Sequence, residues 1–193
     1  MNAINQNLNY MTFLITCSGS KKIPNSLNKG SLNELYLNET LFEHRIKLIE
    51  LSCIKLDWSK TLPAYELYSG PYSKVYKKIS QANWKKNCVD IKILSALFGW
   101  IRHTDLIPYY DLKMTELKGN MRTPAHKYWL NTGSLLPVVK KNDIDLLSAN
   151  YKKAIDPKGY ILASKPEGFV YRDRGDCVGY WLENSLSNIT CND

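Results

Sequence analysis

The sequence is short of the residues that metal centres and disulfide frameworks need. It holds three histidines, His44, His103 and His126, and no two stand at the helical spacing of a ligand pair, which argues against a metal site. Its five cysteines, Cys17, Cys53, Cys88, Cys177 and Cys191, form no Cys-x-x-Cys pair and are odd in number. That usage predicts a reduced, cytoplasmic protein without a disulfide framework. Long hydrophobic runs are missing too. The apolar run at residues 11–17 is too short for a secretory core and follows no basic leader, so no signal peptide is expected. No stretch reaches membrane-spanning length, and no membrane partner is expected. Acidic residues are outnumbered, 18 against 26 Lys and Arg, for a formal net charge of +8.

What is present is positive charge and aromatic rings. A sequence pI near 9.1 suits a polyanionic partner held in a salt-dependent way. Thirteen tyrosines and five tryptophans are interleaved with lysines, as in Tyr72-Ser73-Lys74-Val75-Tyr76-Lys77-Lys78 and Trp84-Lys85-Lys86. Rings beside cations suit unpaired bases. The same pattern also describes helices with a buried aromatic stripe and a solvated lysine face. At 193 residues and 44% hydrophobic, the chain can bury a proper core. A single α/β domain over 1–193 is expected, with an Asn-rich lead-in at 1–10.

The chain is organised around a first strand at residues 11–17 and the small, polar, basic loop after it, Ser18-Gly19-Ser20-Lys21-Lys22. An apolar run ending in such residues resembles the carboxyl end of a central α/β strand, where ligands bind. A helix is expected over most of 35–56, with Leu41, Ile46, Leu48, Ile49 and Cys53 facing inward. A loop bracketed by Pro63 and Pro71 follows, then a helix over 72–84 with Val75, Ile79 and Ala82 on one side. Strands are expected at 90–96, 144–149 and 159–164. Helices are expected from Pro124, capped by Thr123, from 134 to 141, and over 176–186. Leu94-Ser95-Ala96-Leu97-Phe98 and Leu147-Ser148-Ala149-Asn150-Tyr151 share a Leu-Ser-Ala-x-aromatic pattern, which predicts parallel strands whose ends turn alike. Strands alternating with helices predict a mostly parallel central sheet flanked by helices.

Four segments taken together resemble a known family. They are Cys17-Ser18 with Lys21-Lys22, then Pro63-Ala64 with Glu66-Leu67-Tyr68-Ser69-Gly70, then Leu94-Ser95-Ala96 with Gly99, then Pro108-Tyr109-Tyr110-Asp111 with Thr115. The chain is similar over roughly 11–165 to small bacterial and phage proteins related to the YaaA-like peroxide-stress proteins. More distantly it resembles the α/β fold of uracil-DNA glycosylases. The link between the first strand and the Glu-Leu-Tyr loop is longer than usual, and Leu97 and Phe98 replace the family's more polar pair. The resemblance implies nucleic-acid binding and chemistry on a base, in anti-phage defence or repair.

Cleaving a base from its sugar passes through a positively charged, oxocarbenium-like sugar, which a carboxylate steadies. Asp111 and Glu66, each in an aromatic loop, are the catalytic candidates. Tyr65, Tyr68, Phe98, Tyr109 and Tyr110 are candidate pocket walls. Cys17, Ser18, Ser20, Ser69, Gly70 and Ser95 are candidate contacts to substrate. Lys21, Lys22, Arg102, Arg172 and Arg174 are candidate phosphate contacts. Each has a plainer reading: Glu66 as a helix cap or lysine partner, Asp111 as a turn cap, the tyrosines and Cys17 as core. The expected partner is DNA, as a duplex with a flipped base or a single strand, with no cofactor, no metal and no obligate protein partner. The rival functions are a non-catalytic DNA-binding stress protein and a hydrolase or transferase of free nucleosides or nucleotides.

Overall fold

Strand β1, Thr12–Thr16, lies in the middle of the sheet because its residues are apolar or β-branched and Phe13, Leu14 and Ile15 are buried. The structure, a computed structural model, describes residues 12–25, 27–159, 161 and 174–191. The other strands of the main sheet are β3, Asp90–Ser95, β4, Gly99–Arg102, and β6, Ile144–Asp145. β1 pairs in parallel with β3, from Thr12↔Asp90 to Thr16↔Leu94, and with β6 on its other side, through Phe13↔Ile144 and Leu14↔Asp145. β4 returns antiparallel on the outer edge of β3, so the order is β4-β3-β1-β6. A two-stranded antiparallel sheet of β2, Thr61–Pro63, and β5, Leu106–Pro108, stands apart. The architecture is therefore mixed α/β with a mostly parallel sheet flanked by helices.

The two Leu-Ser-Ala segments diverge. After β3 the chain reverses through Ala96-Leu97-Phe98 into β4, and Ser95 Oγ accepts the Phe98 N–H at 3.1 Å. Gly99 closes this turn at φ +64°, in the left-handed region, with no room for a Cβ because the Trp129 ring would lie 3.0 Å away. After β6 the chain instead enters helix α5, Ala149–Lys152, with Ser148 as its cap residue.

Helix α1, Asn38–Ser52, buries Leu41, Arg45, Leu48 and Ser52. Cys53, expected inward, takes a left-handed C-cap conformation and is exposed, and Arg45 takes the inward place. Its guanidinium donates to the carbonyls of Phe98 (2.8 Å), Trp100 (2.7 Å) and Tyr36 (2.7 Å), tying α1 to the β3–β4 turn. Burial lowers its pKa to about 10.

The expected helix over 72–84 is broken in two. A 3₁₀ turn, Tyr76–Lys78, precedes α3, Gln81–Trp84. Ser73 Oγ accepts the Tyr76 N–H and Ser80 Oγ accepts the Asn83 N–H, both at 3.3 Å. Each serine thus starts a new turn where a continuous helix would need its neighbours' backbone groups. Ala82, expected inward, is exposed. Helix α2, Ala64–Leu67, forms inside the Pro63–Pro71 loop. Helix α4, Ala125–Thr132, is capped by Pro124 rather than Thr123, and the expected helix after it shrinks to a 3₁₀ turn, Leu136–Val138. Helix α6, Arg174–Ser187, contains the expected final helix. The expected strand at 159–164 falls largely outside the described residues.

One expectation from cysteine usage is overturned. Cys88 and Cys191 are joined by a disulfide, with Cα atoms 5.5 Å apart across 103 residues of chain. Spacing along the chain cannot reveal a pair that only folding brings together. Among the described residues, no helix is long and apolar enough to cross a membrane.

Candidate functional site

The carboxyl ends of β1, β3 and β6 converge on one buried polar cluster. Cys17 follows β1, Ser95 ends β3 and Tyr151 follows β6. The Cys17 sulfur lies 3.0 Å from the Tyr151 hydroxyl and 3.9 Å from that of Tyr110. The Tyr110 hydroxyl also meets those of Tyr68 (2.8 Å) and Ser95 (2.9 Å). Tyr76 donates to the Thr16 carbonyl at 2.7 Å, placing its ring beside Tyr68. Burial pushes Tyr68, Tyr110 and Tyr151 well above the ordinary tyrosine pKa, with the Cys17 sulfur as the next contributor, so these phenols stay protonated. The Lys21 ammonium sits 4.4 Å from the centre of the Tyr110 ring. Burial lowers its pKa, opposed by Cys17 and by the Asp111 and Glu116 carboxylates.

The loops carrying these groups are locked together. Lys22 N–H donates to Leu67 O at 2.7 Å, and Tyr72 N–H to Ser20 Oγ at 2.9 Å. A Cβ on Gly70 would lie 2.6 Å from backbone atoms of both Ser20 and Lys21, so only glycine allows the loops to pass this closely. Ser18 Oγ accepts the Ser20 N–H, and Ser69 donates to Glu66 O at 2.8 Å. Ser18, Ser20 and Ser69 thus serve the loops themselves.

Beside this clamp are two openings that share Trp84 as a wall. A groove of about 210 Å³ is lined by Lys22, Tyr65, Ser69, Tyr76, Lys77 and Trp84, among others. A cleft of about 510 Å³ is lined by Trp84, Lys85, Lys86, Cys88, Arg102 and His103, among others. The Trp84 ring stacks with Tyr65 at 5.3 Å, Tyr76 at 5.6 Å and His103 at 5.9 Å between centroids. His103 is buried with its ring nitrogens 3.1 Å from Trp84 O and 3.4 Å from Ile91 O, and burial lowers its pKa.

The structure separates the two carboxylate candidates by environment. Glu66 does not line the groove but stands 3.8 Å from Lys22 Nζ, which does. Asp111 is exposed and pairs with Lys118 at 3.1 Å, so only its field reaches the cluster, through Lys21. Phe98 is core, edge-on to Tyr110 at 5.2 Å, and Tyr109 is exposed. Arg102 stacks over Tyr36 at 4.7 Å and lines the larger cleft, away from Lys21 and Lys22. Arg172 lies outside the described residues, and Arg174 opens α6 with its side chain undescribed. Cys17, Lys21, Tyr68, Ser95 and Tyr110 come together in the cluster, and Lys22, Tyr65 and Ser69 at the groove, with Glu66 joined to them through its ion pair with Lys22.

Sequence reasoning missed Tyr151, Tyr76, Lys77 and Trp84 as site residues. A signal for Tyr151 existed: it is the aromatic of the second Leu-Ser-Ala-x-aromatic segment. Among the described residues, no three His, Cys, Asp or Glu side chains gather as a metal site.

No curated protein matches the chain. The family described as peroxide stress protein YaaA matches residues 11–187, a span that takes in every strand of the sheet, the polar cluster, both openings and helix α6. The chain belongs to the YaaA peroxide stress protein family.

Proposed function

We propose that the chain binds DNA along a basic band made of the groove and the cleft, and holds one unpaired base in the groove. The observation that carries this reading is the set of cations at the two openings that share the Trp84 wall, with Lys22 and Lys77 lining the groove and Lys85 and Arg102 the cleft. Four cations divided between two openings suit successive phosphates better than a single small anion. The groove is smaller than the usual range for drug-sized ligands and matches a single ring system in scale. DNA as partner also agrees with the excess of basic residues.

The test is binding of fluorescent single-stranded and duplex DNA at several salt concentrations. A steep fall of affinity with salt, flattened by Lys22→Glu or Lys85→Glu, supports the reading. Absence of binding at low salt, or binding indifferent to salt, overturns it. A free nucleotide that binds in preference to DNA favours the small-molecule rival.

The position of Glu66 favours a second step, hydrolysis of the N-glycosidic bond of the held base, as the distant glycosylase resemblance implies. The Glu66 carboxylate, paired with the groove residue Lys22, would be the group that steadies a developing sugar cation. Base release from DNA carrying modified pyrimidines, lost in Glu66→Ala and kept in Asp111→Ala, establishes this step and its residue. Tight binding without abasic sites leaves a non-catalytic DNA-binding protein.

A further inference from the structure

The wall of the larger cleft is fastened to the last helix from behind. Asn83, buried one residue before Trp84, donates to Glu183 O at 3.3 Å and Ser187 Oγ at 2.9 Å. Lys86 Nζ donates to the carbonyls of Leu186 and Ile189. Ser80 N–H donates to the Glu183 carboxylate at 2.8 Å. The last fastening is covalent. Cys88, which lines the cleft, is bonded to Cys191, just past the end of α6. The short turn between α3 and β3 thus has the cleft on one side and the carboxyl-terminal segment bonded to the other.

We propose that the Cys88–Cys191 pair is a redox latch on the cleft: the disulfide holds the 84–89 wall in its binding shape, and reduction releases it. Neither cysteine is deeply buried, so small oxidants and reductants have access to the bond. In a cytoplasmic protein a disulfide is more often transient and redox-sensing than a permanent staple.

The oxidant class is a hydroperoxide. One thiolate attacks a peroxide oxygen, the O–O bond breaks, and a hydroxide or alkoxide leaves, taking a proton from solvent, with a sulfenic acid behind. The second thiolate attacks that sulfur, the S–O bond breaks, and hydroxide leaves, taking a second solvent proton to become water. The sulfurs lose two electrons and the peroxide gains them. A dithiol reductant reverses the change by exchange through a mixed disulfide and leaves as its own disulfide.

The consequence for DNA rests on the binding reading above, so the experiment has two readouts. The full chain is prepared oxidised, reduced with a phosphine, and as Cys191→Ser, with Cys53→Ser as control. Hydrogen exchange of residues 84–89 and affinity for a fluorescent oligonucleotide are measured on each. The expected result is faster exchange at 84–89, and affinity weaker by about tenfold through lost preorganisation, in the reduced and Cys191→Ser forms. Hydrogen peroxide restores both in the reduced wild type and neither in Cys191→Ser. Unchanged exchange and affinity, with only a lower melting temperature, make the bond a simple staple and overturn the latch. If no form binds DNA, the binding reading fails alone, and exchange at 84–89 decides the latch.

Discussion

The Cys17 sulfur stands 3.0 Å from the Tyr151 hydroxyl, joining groups that are 134 residues apart. The contact exists because β1 and β6 run parallel and adjacent, so the residues after both strands emerge on the same sheet edge. Removing the hydroxyl leaves the sulfur with only the longer contact from Tyr110. Tyr151→Phe should cost about 1 kcal/mol in urea unfolding, and Tyr110→Phe about twice that, because it removes a partner from two further buried hydroxyls, those of Tyr68 and Ser95.

Gly70→Ala should destabilise by about 1–3 kcal/mol, since its Cβ meets backbone rather than a flexible side chain. The strain falls on the loop carrying Lys21 and Lys22. Thermal melting gives the first effect. If the groove binds as proposed, oligonucleotide affinity falls further than in a core variant of equal stability.

Arg45→Met should cost about 3–5 kcal/mol, measured by denaturant unfolding. It leaves the buried carbonyls of Phe98 and Trp100 without their donor. A lysine there cannot reproduce the planar fork that reaches three carbonyls, so Arg45→Lys should recover only part of the loss.

Acidification should destabilise the fold through His103. Burial holds its folded pKa below the ordinary 6.5, so the unfolded chain binds the proton more readily. Its contribution is present above pH 6.5 and is lost as pH falls below that value. Asp105 acts in the opposite sense, because burial raises its pKa above 3.8 and the folded state takes up its proton first. Asp90 favours the charged imidazole and softens the His103 effect. Stability followed between pH 7 and 5 should therefore fall in the wild type and change less in His103→Gln.

Reduction of Cys88–Cys191 should lower stability by about 2–4 kcal/mol, because the bond closes a loop of more than a hundred residues and restricts the unfolded chain. Melting curves with and without reductant measure this, and Cys88→Ser should melt like the reduced wild type.

The central strands were legible because their apolar, β-branched runs carry their own signal: β1 and β3 lie where the pattern places them. The segment 72–84 was misread because its apolar spacing suits a helix, whereas Ser73 and Ser80 divert the backbone bonds. The Pro-Ala-x-Glu-Leu-Tyr-Ser-Gly loop was recognisable, yet its serine and glycine turn out to serve the clamp against residues 20–22.

Local pattern and composition carried the α/β class, the central strand and the excess of basic residues, while most of the aromatic rings went into or against the core. Tertiary structure alone decided that Cys17 meets Tyr151, that Cys88 meets Cys191, and that Glu66 pairs with the groove residue Lys22 while Asp111 pairs with Lys118. Those are distances between residues far apart in the chain, and only strand order and loop packing bring them within reach.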